Sequence, residues 1–174
     1  MEKRGKEDHF VTRLIKEIAP LPDTLVQSAL SGADYRDAFA VDVPSGRYAT
    51  ITDFARAYFL AQPAWLRIIS MNQLSRTKME QNVKSAKFAP GEAIGSWKIY
   101  ARNDHEIVFG ESLGFMTYRF SLSLKQGSQT DTVMASTITK INSRFGKIYF
   151  FLVRLLHKRF VRLTLRYAIS ENVS

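Results

Sequence analysis

The stretch from about residue 145 to residue 169 restricts the fold more than any other part of the chain. At about 100° per residue, Tyr149, Leu152, Val153, Leu156, Phe160, Leu163 and Tyr167 fall on one arc of a helix, and Arg154, Lys158, Arg159, Arg162 and Arg166 fall on another. The apolar arc has to be covered. Burying five unpaired cations would be prohibitive, so the basic arc is expected to stay wet. A chain of 174 residues has room for one good core and not for two. The cover for this helix therefore comes from the same domain.

A sheet is the expected cover. Residues 96–102 and 106–109 read as strands joined at Asn103-Asp104. From 115 to 125 the sequence alternates strictly, with Met116, Tyr118, Phe120, Leu122 and Leu124 on one side. Arg119 has the opposite parity and is expected to face away from Tyr118 and Phe120, into solvent or toward the helix pair. After the Gln126-Gly127-Ser128 turn, residues 132–141 are rich in Thr, Val and Ile, which suits a last strand. Earlier, Tyr35, Phe39, Val41 and Val43 share one parity with only Asp37 intruding, and Pro44-Ser45-Gly46 turns the chain. The pattern predicts an antiparallel meander.

The other helices are shorter. Residues 9–18 read as an amphipathic helix closed by Ala19-Pro20-Leu21-Pro22, and Asp23 is placed to cap a second one running to about Leu30. Thr52 is the expected cap of a helix through Phe54, Tyr58 and Phe59. Pro63 opens the next, with Trp65, Ile68, Ile69, Asn72 and Leu74 near helical spacing. Residues 84–95, broken by Pro90-Gly91, read as a connector with a short strand near 87–89. The organisation expected is a helical segment over 1–32 followed by one domain over 33–174.

Several segments carry a resemblance. They are Ala33-Asp34-Tyr35-Arg36-Asp37-Ala38-Phe39, the run from Arg102 through Val108-Phe109-Gly110-Glu111, then Met116-Thr117-Tyr118-Arg119-Phe120-Ser121-Leu122, and Gly146-Lys147-Ile148-Tyr149-Phe150-Phe151-Leu152-Val153-Arg154-Leu155-Leu156-His157. With them the chain is similar to a bacterial family of unassigned function. That family resembles the helix-grip superfamily of START lipid-transfer domains, plant pollen allergens and polyketide cyclases. The resemblance implies an α+β helix-grip (START-like) fold, in which an antiparallel sheet wraps a long C-terminal helix and encloses a cavity. The family often has an acidic residue where Thr117 stands and a proline where Leu155 stands; the first departure removes a polar cavity group. No catalytic residues carry over.

Composition narrows the function classes. Hydrophobic residues make up 45% and charged residues 24%, an ordinary globular balance that argues against disorder. Cysteine is absent, which excludes a disulfide framework, a thiolate nucleophile and a cysteine-ligated metal. The first ten residues lack the apolar core of a signal peptide, and the longest apolar run, Ile148 to Val153, is far short of the roughly 20 residues that span a bilayer. A cytoplasmic location is the default expectation. The net charge of +9 is concentrated between Thr132 and Ser170, which hold eight basic residues and no acidic one. This makes an anionic contact through Arg154, Lys158, Arg162 and Arg166 conceivable, though a solvated helix face is the plainer reading, and nucleic acid is not the expected partner.

The one catalytic pattern is Gly110-Glu111-Ser112-Leu113-Gly114, which matches the G-x-S-x-G of a nucleophile elbow, with Asp131 and His157 following in hydrolase order. An elbow needs a strand, a sharp turn and a helix, and here a second strand follows, so a hairpin turn is expected and Ser112 is not expected to act as a nucleophile. His9, His105 and His157 sit on separate elements without paired spacing, so no metal site is expected. No phosphate-binding glycine loop occurs and no cofactor is expected.

The leading expectation is a cavity for a small apolar or amphipathic molecule, lined by Trp97, Met116, Tyr118, Phe120, Tyr149, Leu152, Leu156, Phe160 and Leu163, although core packing is the plainer role for each aromatic ring. The alternatives are a cyclase- or hydratase-like enzyme, with His157, Glu111 and Tyr118 as the first acid–base candidates, and a membrane-surface protein using the basic helix.

Overall fold

The computed structural model describes residues 15–62 and 76–170. Its strands are β1 (Lys16–Ile18), β2 (Tyr35–Pro44), β3 (Ala93–Ile94), β4 (Trp97–Arg102), β5 (Glu106–Ser112), β6 (Met116–Lys125) and β7 (Thr130–Ile141). Its helices are α1 (Leu25–Ser28), α2 (Ile51–Leu60), α3 (Arg76–Ser85) and α4 (Arg144–Ser170). The strands form one sheet in the order β1-β2-β7-β6-β5-β4-β3, and every pairing is antiparallel. Hairpins join β3 through β7. The first long strand closes on the last, with Tyr35 opposite Thr139 and Pro44 opposite Thr130.

Strand parity separates two faces. On the inner face, Phe39, Ile107, Phe109, Leu122, Val133 and Ala135 are buried with Phe54, Tyr58 and Phe59 of α2 and Val161, Leu165 and Ala168 of α4. Full burial of each large side chain contributes about 1.5–3 kcal/mol, so this aromatic and aliphatic layer is the main source of stability. On the outer face, Val26 of α1 packs against Val108 and Ile138. A four-residue helix has no stability of its own. The buried carboxylate of Glu106 pins it by accepting from the backbone N–H groups of Leu25 (2.7 Å) and Val26 (3.2 Å). Arg119 also lies on the outer face, but buried beneath Tyr100 rather than in solvent or against the helix pair, because its guanidinium carbon stacks 3.5 Å from the ring centroid and its N–H groups donate to the carbonyls of Glu111 and Tyr118.

Helix α4 is anchored at both ends. At its start, a Cβ on Gly146 would fall inside van der Waals contact of the Phe115 carbonyl oxygen, so only glycine lets the first turn press against the β5–β6 turn. Near its end, the buried Tyr48 hydroxyl donates to the Ala168 carbonyl at 2.9 Å.

Several sequence expectations change. Residues 16–18 are a strand on the edge of the sheet rather than the end of a helix, because Lys16 to Ile18 find open backbone partners in Ala40 to Ala38; Ile15 is not helical either, and residues 9–14 of the expected helix lie outside the described residues. The helix expected to open at Pro63, with Trp65, Ile68, Ile69, Asn72 and Leu74, also lies outside them. Helix α1 begins after Thr24 rather than Asp23. The cap of α2 is Thr50, not Thr52: its hydroxyl accepts from the Asp53 N–H while Asp53 reaches back to the Thr50 N–H, a capping box worth about 1 kcal/mol. Thr52 instead accepts from Arg102 at 2.8 Å. No strand forms at 87–89, since Phe88 has φ 57°, outside the extended range; the short strand is β3.

Candidate functional site

The sheet presents its inner side chains in rows. Tyr35, Thr139, Tyr118 and Glu111 lie opposite one another across β2, β7, β6 and β5, and Asp37, Thr137, Phe120 and Phe109 form the next row. Beyond them, the rings of Phe59, Trp97, Phe109 and Phe120 pack edge to face and stacked, with centroids 5.1–6.5 Å apart. Between these rows and α4 the packing leaves a cavity of about 180 Å³. Its wall includes Trp97, Met116, Tyr118 and Phe120 from the sheet side, with Tyr149, Val153, Leu156, His157 and Phe160 from α4. Leu156 is 56% exposed and still lines the cavity, which therefore opens to solvent along the helix.

Two polar networks border this apolar space. In the first, the Trp97 indole N–H donates to the Tyr118 hydroxyl (2.9 Å), which donates to Glu111 Oε2 (3.2 Å). Burial, then the Glu111 charge, pushes the Tyr118 phenol above its ordinary range. In the second, the Tyr35 hydroxyl donates to Asp37 Oδ2 (2.6 Å), and His157 Nε2 stands 3.3 Å from the same oxygen. Burial, then the bond to Asp37, raises the Tyr35 phenol, and burial raises that of Tyr58, another lining residue. All three phenols are therefore hydrogen-bond donors at neutral pH, not bases. The His157–Asp37 approach has ion-pair distance without hydrogen-bond alignment. His157 Nε2, Asp37 Oδ1 and Gln62 Oε1 are buried and have no hydrogen-bond partner among the described residues.

The structure thus gathers Trp97, Met116, Tyr118, Phe120, Tyr149, Leu156 and Phe160 around one space, and leaves Leu152 and Leu163 out of it. Leu152 is 60% exposed, and Leu163 is half-buried away from the lining. The reason is the rotation of α4. Its inward arc carries Gly146, Tyr149, Phe150, Val153, His157, Phe160, Val161 and Thr164, turned roughly a fifth of the circumference from the arc with the most regular apolar spacing. Apolar residues occupy almost every side of the first three turns, so spacing alone cannot choose the inward side. Of the acid–base candidates, Glu111 and Tyr118 are joined in one network and His157 belongs to the other. Sequence reasoning missed Asp37, Tyr35 and Gln62, though Asp37 was visible as the single polar residue on the inward parity of β2.

The other candidates separate. Ser112 ends β5, Gly114 takes φ 77° in a tight turn, and β6 follows, so the G-x-S-x-G segment is a hairpin. Asp131 is held by the N–H groups of Gly46 and Gly127, and staples two turns together. Of the basic arc, Lys158 and Arg162 bond to Glu17 on β1, while Arg154 is exposed, near the Tyr35 ring. Among the described residues no group of three or more His, Asp or Glu side chains could hold a metal ion, and no helix is long and apolar enough to cross a membrane.

An antiparallel sheet in this order, closed over a long C-terminal helix with a cavity between them, defines a helix-grip protein. Residues 29–164 match the family described as Protein of unknown function (DUF2867), and the chain belongs to that family. Similar solved structures include two of low identity. The crystal structure of the di-domain ARO/CYC BexL from the BE-7585A biosynthetic pathway has 15% identity and a TM-score of 0.40, over 84% of this chain and 53% of that one. The crystal structure of Ara h 8.0201 has 12% identity and a TM-score of 0.32, over 79% of this chain and 100% of that one. The chain spans about half the length of the first. No curated protein matches it.

Proposed function

We propose that the protein binds one small amphipathic molecule in the cavity beneath α4, without chemistry. The observation that carries this reading is the cavity itself: about 180 Å³, walled by aromatic and aliphatic side chains, with Gln62 Oε1 and His157 Nε2 buried in its wall and without hydrogen-bond partners among the described residues. An apolar cavity of roughly 150 Å³ accepts a molecule the size of benzene, so the apolar body of the ligand is about one ring or a short branched chain. Gln62, on the cavity wall, presents its Oε1 as an acceptor, which favours a ligand with a hydroxyl or N–H donor. Native mass spectrometry of protein purified from its own host tests this. A retained small molecule, lost on filling the cavity, supports the reading; repeated recovery of ligand-free protein that takes up no amphipathic probe refutes it.

A second reading, a cyclase- or hydratase-like enzyme, is favoured by the Tyr35–Asp37–His157 cluster. A carboxylate beside an imidazole at the edge of an apolar space is an arrangement suited to moving a proton to or from a bound carbonyl compound. Exchange of the α-hydrogens of cyclohexanone in deuterated water, faster with the protein than in buffer and lost in His157→Ala, would favour this reading over simple binding. Unaccelerated exchange with cyclohexanone bound would remove it for this class of carbon acid.

A further inference from the structure

The first three turns of α4 expose what the rest of the molecule buries. Phe145, Ile148, Phe151, Leu152, Leu155 and Leu156 are 56–68% exposed, and at about 100° per residue they form one continuous stripe. Single exposed apolar residues are ordinary on a protein surface, whereas six in one stripe are not. Exposed Lys147 and Arg154 run along one edge of the stripe, and exposed Arg144 and Arg159 stand within its arc, at the start of the helix and just beyond Leu156. No acidic residue occurs between Thr132 and Ser170.

We infer that this stripe with its cationic border docks the protein on the surface of an anionic lipid bilayer. An apolar helix face edged by Lys and Arg lies in the interfacial plane, with the side chains among the upper acyl chains and the cations at the headgroups. Charge distinguishes this occupant from the others. A second copy meeting the stripe through the same face would bring the two cationic borders together, and a bilayer of anionic lipid would neutralise them. Neither residues 1–14 nor residues 63–75 of this chain are acidic on balance, so neither complements the border. Leu156 belongs both to the stripe and to the cavity wall, so docking sets the cavity mouth at the bilayer surface. The docking surface stands independently of whether the cavity holds a ligand.

Flotation with phosphatidylcholine vesicles, and with equimolar phosphatidylcholine and phosphatidylglycerol vesicles, tests the inference on the full chain. Wild type is expected to float with the anionic vesicles, less so as salt is raised, and to stay largely free of neutral ones. Phe151→Asp with Leu155→Asp, at positions that line neither core nor cavity, should abolish flotation with the circular dichroism spectrum unchanged. Lys147→Gln with Arg154→Gln should weaken it about thirtyfold, at roughly fivefold for each cation. Failure of folded wild type to float with anionic vesicles at low salt overturns the inference. So does flotation indifferent to the Asp pair, and so does a wild-type dimer that the Asp pair converts to monomer, because the stripe is then covered by a second copy. A cavity that binds no probe would leave these results unchanged, so the two readings fail separately.

Discussion

Asp37 Oδ2 lies 3.3 Å from Nε2 of His157, one carried by the second strand of the sheet and the other by the helix that crosses it. Asp37 is 3% exposed, and its only hydrogen-bond donor among the described residues is Tyr35, two positions away on the same strand. The pair ties α4 to β2 beside the cavity. A double-mutant cycle on Asp37→Ala and His157→Ala should therefore give a coupling of about 0.5–3 kcal/mol in urea denaturation, because the two groups stand at ion-pair distance in a largely buried place. Additive losses would mean that the two side chains are neighbours without interacting.

Gly146→Ala replaces a poor helix former with the best one and should still destabilise the protein. The gain in propensity is about 1 kcal/mol. The added methyl meets the Phe115 carbonyl, which is backbone and cannot swing aside, so the helix start has to lift, at about 1–3 kcal/mol or more. A net loss in the urea midpoint is expected; a stabilised Ala variant would show that α4 does not press on the β5–β6 turn.

Tyr35, Tyr58 and Tyr118 make the fold sensitive to alkali. Their phenols ionise in the fold at higher pH than in the unfolded chain, where the value is near 10.0. Above that pH the unfolded chain releases protons that the fold retains, so stability is fully present below about pH 10 and falls as pH rises towards the folded values. Urea midpoints should decline from about pH 10 upward. Tyr118→Phe should flatten the decline while costing about 1 kcal/mol at neutral pH through the lost Trp97 bond. An equally steep decline in the variant would place the sensitivity elsewhere.

Phe109 and Phe160 separate core from cavity wall. Phe109 is fully buried, stacked on Phe120 and edge-on to Phe59, and Phe109→Ala should cost about 3–5 kcal/mol. Phe160 is half-buried with one side on the cavity, so Phe160→Ala should cost less than about 2 kcal/mol, since part of its ring was never packed. Equal losses in thermal unfolding would make Phe160 plain core.

The strands were legible because period two survives in any context: the alternation from Met116 to Lys125 marks β6, and the parity of Tyr35, Phe39, Val41 and Val43 marks β2. Elements whose existence depends on a distant partner were not. The three residues of β1 are a strand only because the free edge of β2 accepts them. Helix α3 carries just Met79 and Val83 as buried apolar positions in a polar sequence. The Thr50-Ile51-Thr52-Asp53 pattern does spell a capping box, and would have identified Thr50. The long helix was legible in extent and not in rotation, since Phe145 to Leu156 is apolar on nearly every side. The polar end of the cavity follows from that rotation. Asp37 finds His157 from 120 positions away, and no spacing rule spans such a distance.

Filling the cavity tests the central claim most directly. Val153 lines the space from α4 and is only half-buried, so Val153→Trp can occupy the cavity without displacing the core. Calorimetric titration with 4-ethylphenol, an apolar single-ring probe with one hydroxyl donor, should give saturable one-to-one binding to wild type. Binding should be lost in Val153→Trp, at a melting temperature equal to or above that of wild type. No saturable uptake by wild type of 4-ethylphenol or of phenol, or equal affinity in the two proteins, would contradict a ligand cavity beneath α4.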